Sequence, residues 1–397
     1  LYRQTHGSGM VHITKGRFDS TAVSLPPERE QRRIVDEIEK QFTRLDAAVE
    51  ALRRVQANLK RYRASVLKAA CEGRLVPTEA ALARAEGRGF ESADVLLQRI
   101  LKERRRKWEE DQLAKFEAKG KLPKDDAWKK KYQEPTAPDV SELPELPEGW
   151  CWASVEQLQL SLRNGISKKP DGDTGLSILR ISSVRSMSVD LDDRRYLTDD
   201  LEAYSDFAIE EGDLLFTRYN GSPELVGVCG VVPALPEPFV YPDKLIRVRV
   251  PSSLSPPSFL QIVFSTGASR DFIRSRTRTT AGQAGISGGD LKQAPVPIAP
   301  LLEQMRISLE VESKLSVVEK TMGVIAELET RAERLRQAIL KRAFEGRLVP
   351  QDPDDEPASV LLERIGSERE ARAGAGKKRK TVKKAAKRKT AAKRGRG

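Results

Sequence analysis

A direct repeat constrains this chain more than any other feature. One copy opens as Pro27-Glu28-Arg29-Glu30-Gln31-Arg32-Arg33-Ile34 and closes as Glu72-Gly73-Arg74-Leu75-Val76-Pro77. The other opens as Pro300-Leu301-Leu302-Glu303-Gln304-Met305-Arg306-Ile307 and closes as Glu345-Gly346-Arg347-Leu348-Val349-Pro350. Pro27 and Pro300 lie 273 positions apart, as do Gly73 and Gly346, so both ends align without a gap. Between them Arg61, Arg63, Leu67 and Lys68 fall on Arg334, Arg336, Leu340 and Lys341. A period held at both termini means one structural unit used twice. The offset also reaches upstream, where Gly9, Ile13, Val23 and Leu25 meet Gly282, Ile286, Val296 and Ile298. The repeating unit is therefore a globular domain followed by a long helix. Residues 1–25 correspond only to the end of the first such domain, and Leu1 in place of Met marks the chain as a fragment or as lacking its true start.

The repeated stretch reads as a rod. Pro27 suits a first helical turn, with Glu28 and Glu30 beside the positive end of the dipole. About 45 residues at 1.5 Å each make roughly 65 Å of helix. The apolar stripe Ile38, Phe42, Leu45, Val49, Leu52 is a heptad seam. It then steps by three through Val55 before resuming at Leu59, Tyr62 and Val66. The second copy does the same through Leu315, Val318, Met322, Ile325, Leu328, Ala332, Leu335 and Ile339. A shared slip of this kind predicts a stammer, a local overwinding, and two rods packed on each other. The seam residues expected to carry that contact and partner docking are Ile38, Leu45, Leu52, Leu59, Val318, Ile325, Leu335 and Ile339. Gly73 and Gly346 end the helices.

The remaining segments follow from composition. Residues 1–25 are the remnant, 26–77 the first rod, 78–147 a charged helix with a proline-rich connector, 148–298 a complete globular domain, 299–350 the second rod, and 351–397 a helix and tail. In the globular domain, residues 176–181, 213–217, 226–232 and 244–250 read as strands, with helix over 259–265 and 268–275. The fold class is α+β, with a mixed sheet beside two long helices and a direct internal repeat. The helix start Val95-Leu96-Leu97-Gln98-Arg99-Ile100 is echoed by Val360-Leu361-Leu362-Glu363-Arg364-Ile365.

Charge needs dissecting. The net charge is +12, and residues 377–397 alone hold twelve Lys/Arg and no acid. The body is balanced, so nucleic-acid affinity inferred from bulk charge applies to the tail, which is disordered by composition. Cys71, Cys151 and Cys229 lack metal or disulfide spacing and read as buried thiols of a reducing, cytoplasmic protein. No apolar run is long enough to span a membrane. Phosphate-loop, nucleophile-elbow and zinc-protease motifs are absent, and the only histidines are His6 and His12. Glu117-Ala118-Lys119 lacks the preceding acidic pair of a nuclease. No catalytic, metal or cofactor residue is expected.

Three stretches combine glycine with hydrogen-bonding side chains. They are Arg163-Asn164-Gly165-Ile166-Ser167-Lys168-Lys169 leading to Arg180, then Gly212-Asp213-Leu214-Leu215-Phe216-Thr217-Arg218-Tyr219-Asn220-Gly221, and Thr279-Thr280-Ala281-Gly282-Gln283-Ala284-Gly285-Ile286. Glycine lets backbone approach a phosphate, and Arg, Lys, Asn and Gln can bond base edges. Each stretch alone equally fits an ordinary polar loop. As DNA-contacting candidates they supply Ser167, Lys168, Lys169, Arg180, Arg218, Tyr219, Asn220 and Gln283.

Leu146-Pro147-Glu148-Gly149-Trp150, the Gly212–Arg218 stretch, Gly282-Gln283-Ala284-Gly285-Ile286 and the two Gly-Arg-Leu-Val-Pro rod ends, in this order, resemble the specificity subunit of type I restriction-modification systems. The resemblance covers most of residues 1–365. It implies a non-enzymatic reader of double-stranded DNA with two recognition domains, each reading half of a bipartite target. It also implies an antiparallel coiled coil that spaces the halves and docks two modification (methyltransferase) subunits, which restriction subunits then join. His6-Gly7-Ser8-Gly9-Met10 looks like the end of a first recognition domain, so reading of that half-site needs a part this sequence does not show. The competing class is a structural coiled-coil or nucleoid protein that holds DNA non-specifically through its tail.

Overall fold

The structure is a computed structural model that describes residues 14–123, 125–280 and 282–372. The basic tail, His6, His12 and the end of the first recognition domain up to residue 13 lie outside the described residues. Compactness divides the chain into two units, Leu1–Ala57 with Met322–Gly397, and Asn58–Thr321. Two helices of 44 residues, Glu28–Cys71 and Leu301–Phe344, contribute to both. Among the described residues no helix is long and apolar enough to cross a membrane.

The seam is a regular heptad, and the expected stammer is absent. Ile38, Phe42, Leu45, Val49, Leu52, Gln56, Leu59, Arg63, Val66 and Ala70 are all partly or fully buried, at steps of four and three throughout. Val55 and Tyr62 instead stand 43% and 45% exposed. In the second helix the buried line runs Val311, Leu315, Val318, Met322, Ile325, Glu329, Ala332, Arg336, Ile339 and Ala343. Leu335, expected on the seam, is 46% exposed, and Leu328 is 40% exposed. The physical reason is that polar residues hold seam positions. Gln56 and Arg63 do so in one rod, and their repeat counterparts Glu329 and Arg336 in the other. An arginine stem covers apolar neighbours while its head reaches an acid. Counting apolar residues alone jumps to the nearest exposed leucine, valine or tyrosine and mimics a slip.

In the first unit the Arg336 guanidinium lies 4.7 Å over the Phe42 ring and pairs with Asp46. Arg53 reaches Glu329 at 4.0 Å. As one helix advances from 46 to 53 the other retreats from 336 to 329, so the pairing is antiparallel. In the second unit Arg63 meets Glu319 at 3.3 Å. Asp46 and Glu319 are repeat counterparts, as are Arg63 and Arg336, so the repeat places the same acid–arginine pair once in each unit. Both rods close alike. Gly73 and Gly346 take φ of +62° and +65°, and Arg74 N–H and Arg347 N–H each return to a carbonyl, of Ala69 and Arg342, at 2.8 Å. This is the left-handed cap that glycine adopts without strain.

The second unit holds the complete globular domain. Its central sheet orders Ser161–Asn164, Leu245–Arg249, Leu214–Thr217 and Cys229–Val231, all antiparallel. A second sheet sets Leu176–Leu179 between Phe239–Val240, which is parallel to it, and Arg194–Leu197, which is antiparallel. The sheets are thus mixed, and the helices Pro257–Val263 and Gly267–Arg276 follow them as expected. Cys151–Ser154 pairs with Pro295–Ile298, joining the first and last strands of the domain. The core combines Phe216, Phe259 and Ile246 with Val66, Leu67 and Ala70 of the first rod and Ile307, Val311 and Leu315 of the second.

The charged connector contributes to that core. Leu96, Leu97 and Ile100 of the helix Ala93–Ala118 are buried in it. Trp128 stacks on Trp108 at 5.9 Å and meets Phe116 edge-on at 6.0 Å. The proline stretch is extended but docked, since Trp152 Nε1–H donates to Pro144 O at 3.3 Å and Ser154 Oγ–H to Thr136 O at 2.6 Å.

Candidate nucleic-acid interface

The fully buried strand Leu214–Thr217 delivers the middle stretch to the surface. Its anchor is Asp213, 1% exposed, which accepts two bonds of 2.7 Å from Arg249. Asp213 is thereby a structural acid. At the other end Thr217 Oγ1 accepts from Val228 N–H at 3.1 Å and donates to Leu225 O. Arg270, itself buried, fixes the following turn by donating to Val226 O and Glu224 O at 2.7 and 2.6 Å.

Held between these anchors, Arg218 emerges at the rim. Its N–H donates to Lys244 O at 2.7 Å, and its carbonyl accepts from Ile286 N–H at 3.0 Å. The next residues, Tyr219–Asn220, pair with Gln283–Gly285, which pairs in turn with Arg278–Thr280. Gly285 faces Tyr219 so closely that a Cβ there would sit 2.3 Å from the ring. The glycine lets the ring lie against the backbone, and the Arg218 guanidinium stacks 4.7 Å over that ring. One of its amino groups donates to Asp243 O at 3.3 Å, while the buried Nε–H has no acceptor. A shallow cavity of about 250 Å³ is lined by Tyr219, Arg276, Arg278, Gln283 and Asp290 among others.

The structure therefore gathers Arg218, Tyr219, Asn220 and Gln283 on one small sheet. Ser167 borders it, its hydroxyl 3.3 Å from the Asp243 carboxylate. Lys169 is exposed and has no printed-range ion pair or hydrogen bond among the described residues. Lys168 and Arg180 are engaged elsewhere. Lys168 is clasped by Asp171 at 2.9 Å and by Asp199, which also accepts from Tyr204 at 2.9 Å. The ammonium holds both carboxyls below their ordinary range. Arg180 pairs with Asp193 at 3.1 Å. Arg276 and Arg278 were not among the expected contacts. Their signal was available, because arginine recurs at every second position through Arg274, Arg276 and Arg278, directly before the third stretch.

No group here is arranged for catalysis. Among the described residues no cluster of three or more His, Cys, Asp or Glu could hold a metal ion. Burial pushes the Cys71 and Cys151 thiols up to about 12, and the Cys229 thiol well above its usual range.

This architecture is that of a reading head on paired rods, and comparison with known proteins places it. No family model matches the chain. It is 31% identical over 384 residues to the EcoKI specificity subunit of a type I restriction enzyme from Escherichia coli K12, covering 94% of this chain and 69% of that one. It is 28% identical over 242 residues to the StySPI specificity subunit from Salmonella potsdam, covering 58% of this chain and about half of the relative, 52%. A chain from a solved type I restriction-modification assembly shares the fold with a TM-score of 0.53 at 19% identity, over 86% of this chain and 66% of that one. The chain belongs to the specificity subunits of type I restriction enzymes.

Proposed function

We propose that this chain is the non-catalytic DNA-reading subunit of a type I restriction-modification complex, and that its complete recognition domain reads one half of a bipartite target. The observation that carries this reading is the convergence of Arg218, Tyr219, Asn220 and Gln283 on one sheet, flanked by Arg276 and Arg278. Arginine and glutamine can each bond a base edge through two atoms in the major groove. A guanidinium stacked on a tyrosine loses less freedom when it does so than a free surface lysine. Arg276 and Arg278 supply phosphate contacts that fix position without reading sequence.

The rods serve as spacer and docking platform for two methyltransferase subunits, with restriction subunits joining the assembly. The complex works in the cytoplasm, where its duplex substrate lies. The test is methylation mapping in cells that carry the complex with Arg218→Ala. Relaxed recognition confined to one half of the target is the expected outcome. An unchanged motif with normal methylation would overturn the assignment of Arg218.

A further inference from the structure

The two rods begin with the same residues but not with the same bonds. In the second unit Glu303 is fully buried and both its oxygens are used. Oε1 accepts from Trp150 Nε1–H at 2.9 Å, and Oε2 accepts from Glu79 N–H at 2.7 Å. One position on, Gln304 Nε2–H donates to Ala299 O at 2.7 Å. Arg306 pairs at 2.7 Å with the Glu79 carboxylate, which is 2% exposed. The chain just past the first Gly-Arg-Leu-Val-Pro end thus docks on the start of the second rod. Trp150, which opens the recognition domain, completes the arrangement.

In the first unit most of this recurs at the repeat positions. Gln31 Nε2–H donates to Pro26 O at 2.8 Å, as Gln304 does to Ala299. Arg33 grips Asp355, also 2% exposed, at 2.6 and 3.3 Å, and Asp355 lies just past the second Gly-Arg-Leu-Val-Pro end. Glu30 is buried to 3% exposure like its counterpart Glu303. Yet Glu30 accepts no hydrogen bond among the described residues, and its Oε1 is buried without a partner. A buried carboxylate without donors carries a large desolvation cost. In the other copy an indole N–H relieves it.

The described tryptophans of this chain cannot supply that donor. Trp150 is bonded to Glu303 and Trp152 to Pro144, while Trp108 and Trp128 stack on each other. We infer that Glu30 is a vacant acceptor for the indole of a second Leu-Pro-x-Gly-Trp segment, the opening segment of a companion recognition domain. The segment would dock on the start of the first rod as residues 146–150 dock on the second. The inference rests on the repeat and the bonds of Glu30 and Glu303, and stands apart from the DNA-reading assignment.

The experiment pairs two isosteric variants with one probe. Glu303→Gln weakens two bonds to a buried carboxylate, so it lowers the melting temperature of the full chain. Glu30→Gln removes a buried charge that nothing solvates, so it raises that temperature. A fluorescein-labelled peptide of residues 143–150 should bind the full chain saturably, and binding should fall roughly tenfold or more in Glu30→Leu, as loss of a charge-assisted bond requires. The same peptide with Trp150→Phe should show the same loss. A drop in melting temperature for Glu30→Gln like that for Glu303→Gln would overturn the inference. So would peptide binding that ignores Glu30 or the indole, or no saturable binding at millimolar peptide. None of these readings depends on DNA, so a failure here leaves the Arg218 test untouched.

Discussion

Two basic regions of the recognition domain look alike in sequence and differ in what their charges do. Lys168 and Arg180 belong to a lysine- and glycine-rich stretch, but both are answered within the fold, by Asp171 and Asp199 and by Asp193. Arg218, Arg276 and Arg278 lie on the small sheet, where none has a carboxylate partner among the described residues. Their partners are rings and one carbonyl. A clasped cation must give up its acids before it can meet a phosphate, and the exchange returns little. A cation held by an aromatic ring keeps its full charge for a ligand. Density of basic residues is thus a poor guide to an interface, and the supply of nearby carboxylates is a better one.

That contrast breaks most severely at Gly285. Gly285→Ala puts a methyl where the Tyr219 ring lies, so the ring and the Arg218 stacked on it must move. Specific duplex affinity should fall by about 10- to 100-fold, the order expected when a base contact of two bonds is lost. Affinity for unrelated duplex should stay nearly constant, and fluorescence anisotropy with both duplexes checks this. A smaller effect is expected for Arg278→Ala. It should weaken all duplexes to a similar extent and reduce the slope of log affinity against log salt by about one, as loss of one phosphate contact does.

The least effect on DNA should come from Lys168→Ala, whose cost falls on the fold instead. Asp171 and Asp199 are held below the ordinary carboxylate range by the Lys168 ammonium, so their contribution to stability is present above that range. It is lost as pH falls through their lowered values. The variant should therefore melt lower than the parent at pH 7, and the two should converge in strong acid. Thermal melts across that pH series check the sign. A large loss of specific binding in Lys168→Ala would erase the distinction between the two regions.

Much of this architecture is legible in sequence because it is repeated or local. A fixed offset between two proline starts and two glycine ends needs no tertiary knowledge, and period-two apolar runs mark the strands. What escapes depends on distant partners. Asp199 lies 31 residues from Lys168, and Glu303 lies 153 from Trp150, so neither bond leaves a trace in local spacing. The seam misled for another reason. Arg63 and Arg336 occupy core positions with their stems, and a scale that treats arginine as surface cannot see them there. Arg276 and Arg278 were overlooked because alternating arginine and hydroxyl residues signal no turn, although a strand presents one face of them together.

The two charge pairs on the paired helices of the first unit have a consequence for alignment. Along one helix an acid at Asp46 is followed seven positions later by a base at Arg53. Along the other a base at Arg336 is preceded seven positions earlier by an acid at Glu329. Slide one helix past its partner by a single heptad and the apolar residues would still interlock. The charges would not. In one direction Asp46 would face Glu329, and in the other Arg53 would face Arg336. The pattern acts as a parity check on helix alignment, rejecting the two nearest errors that hydrophobic packing alone would accept.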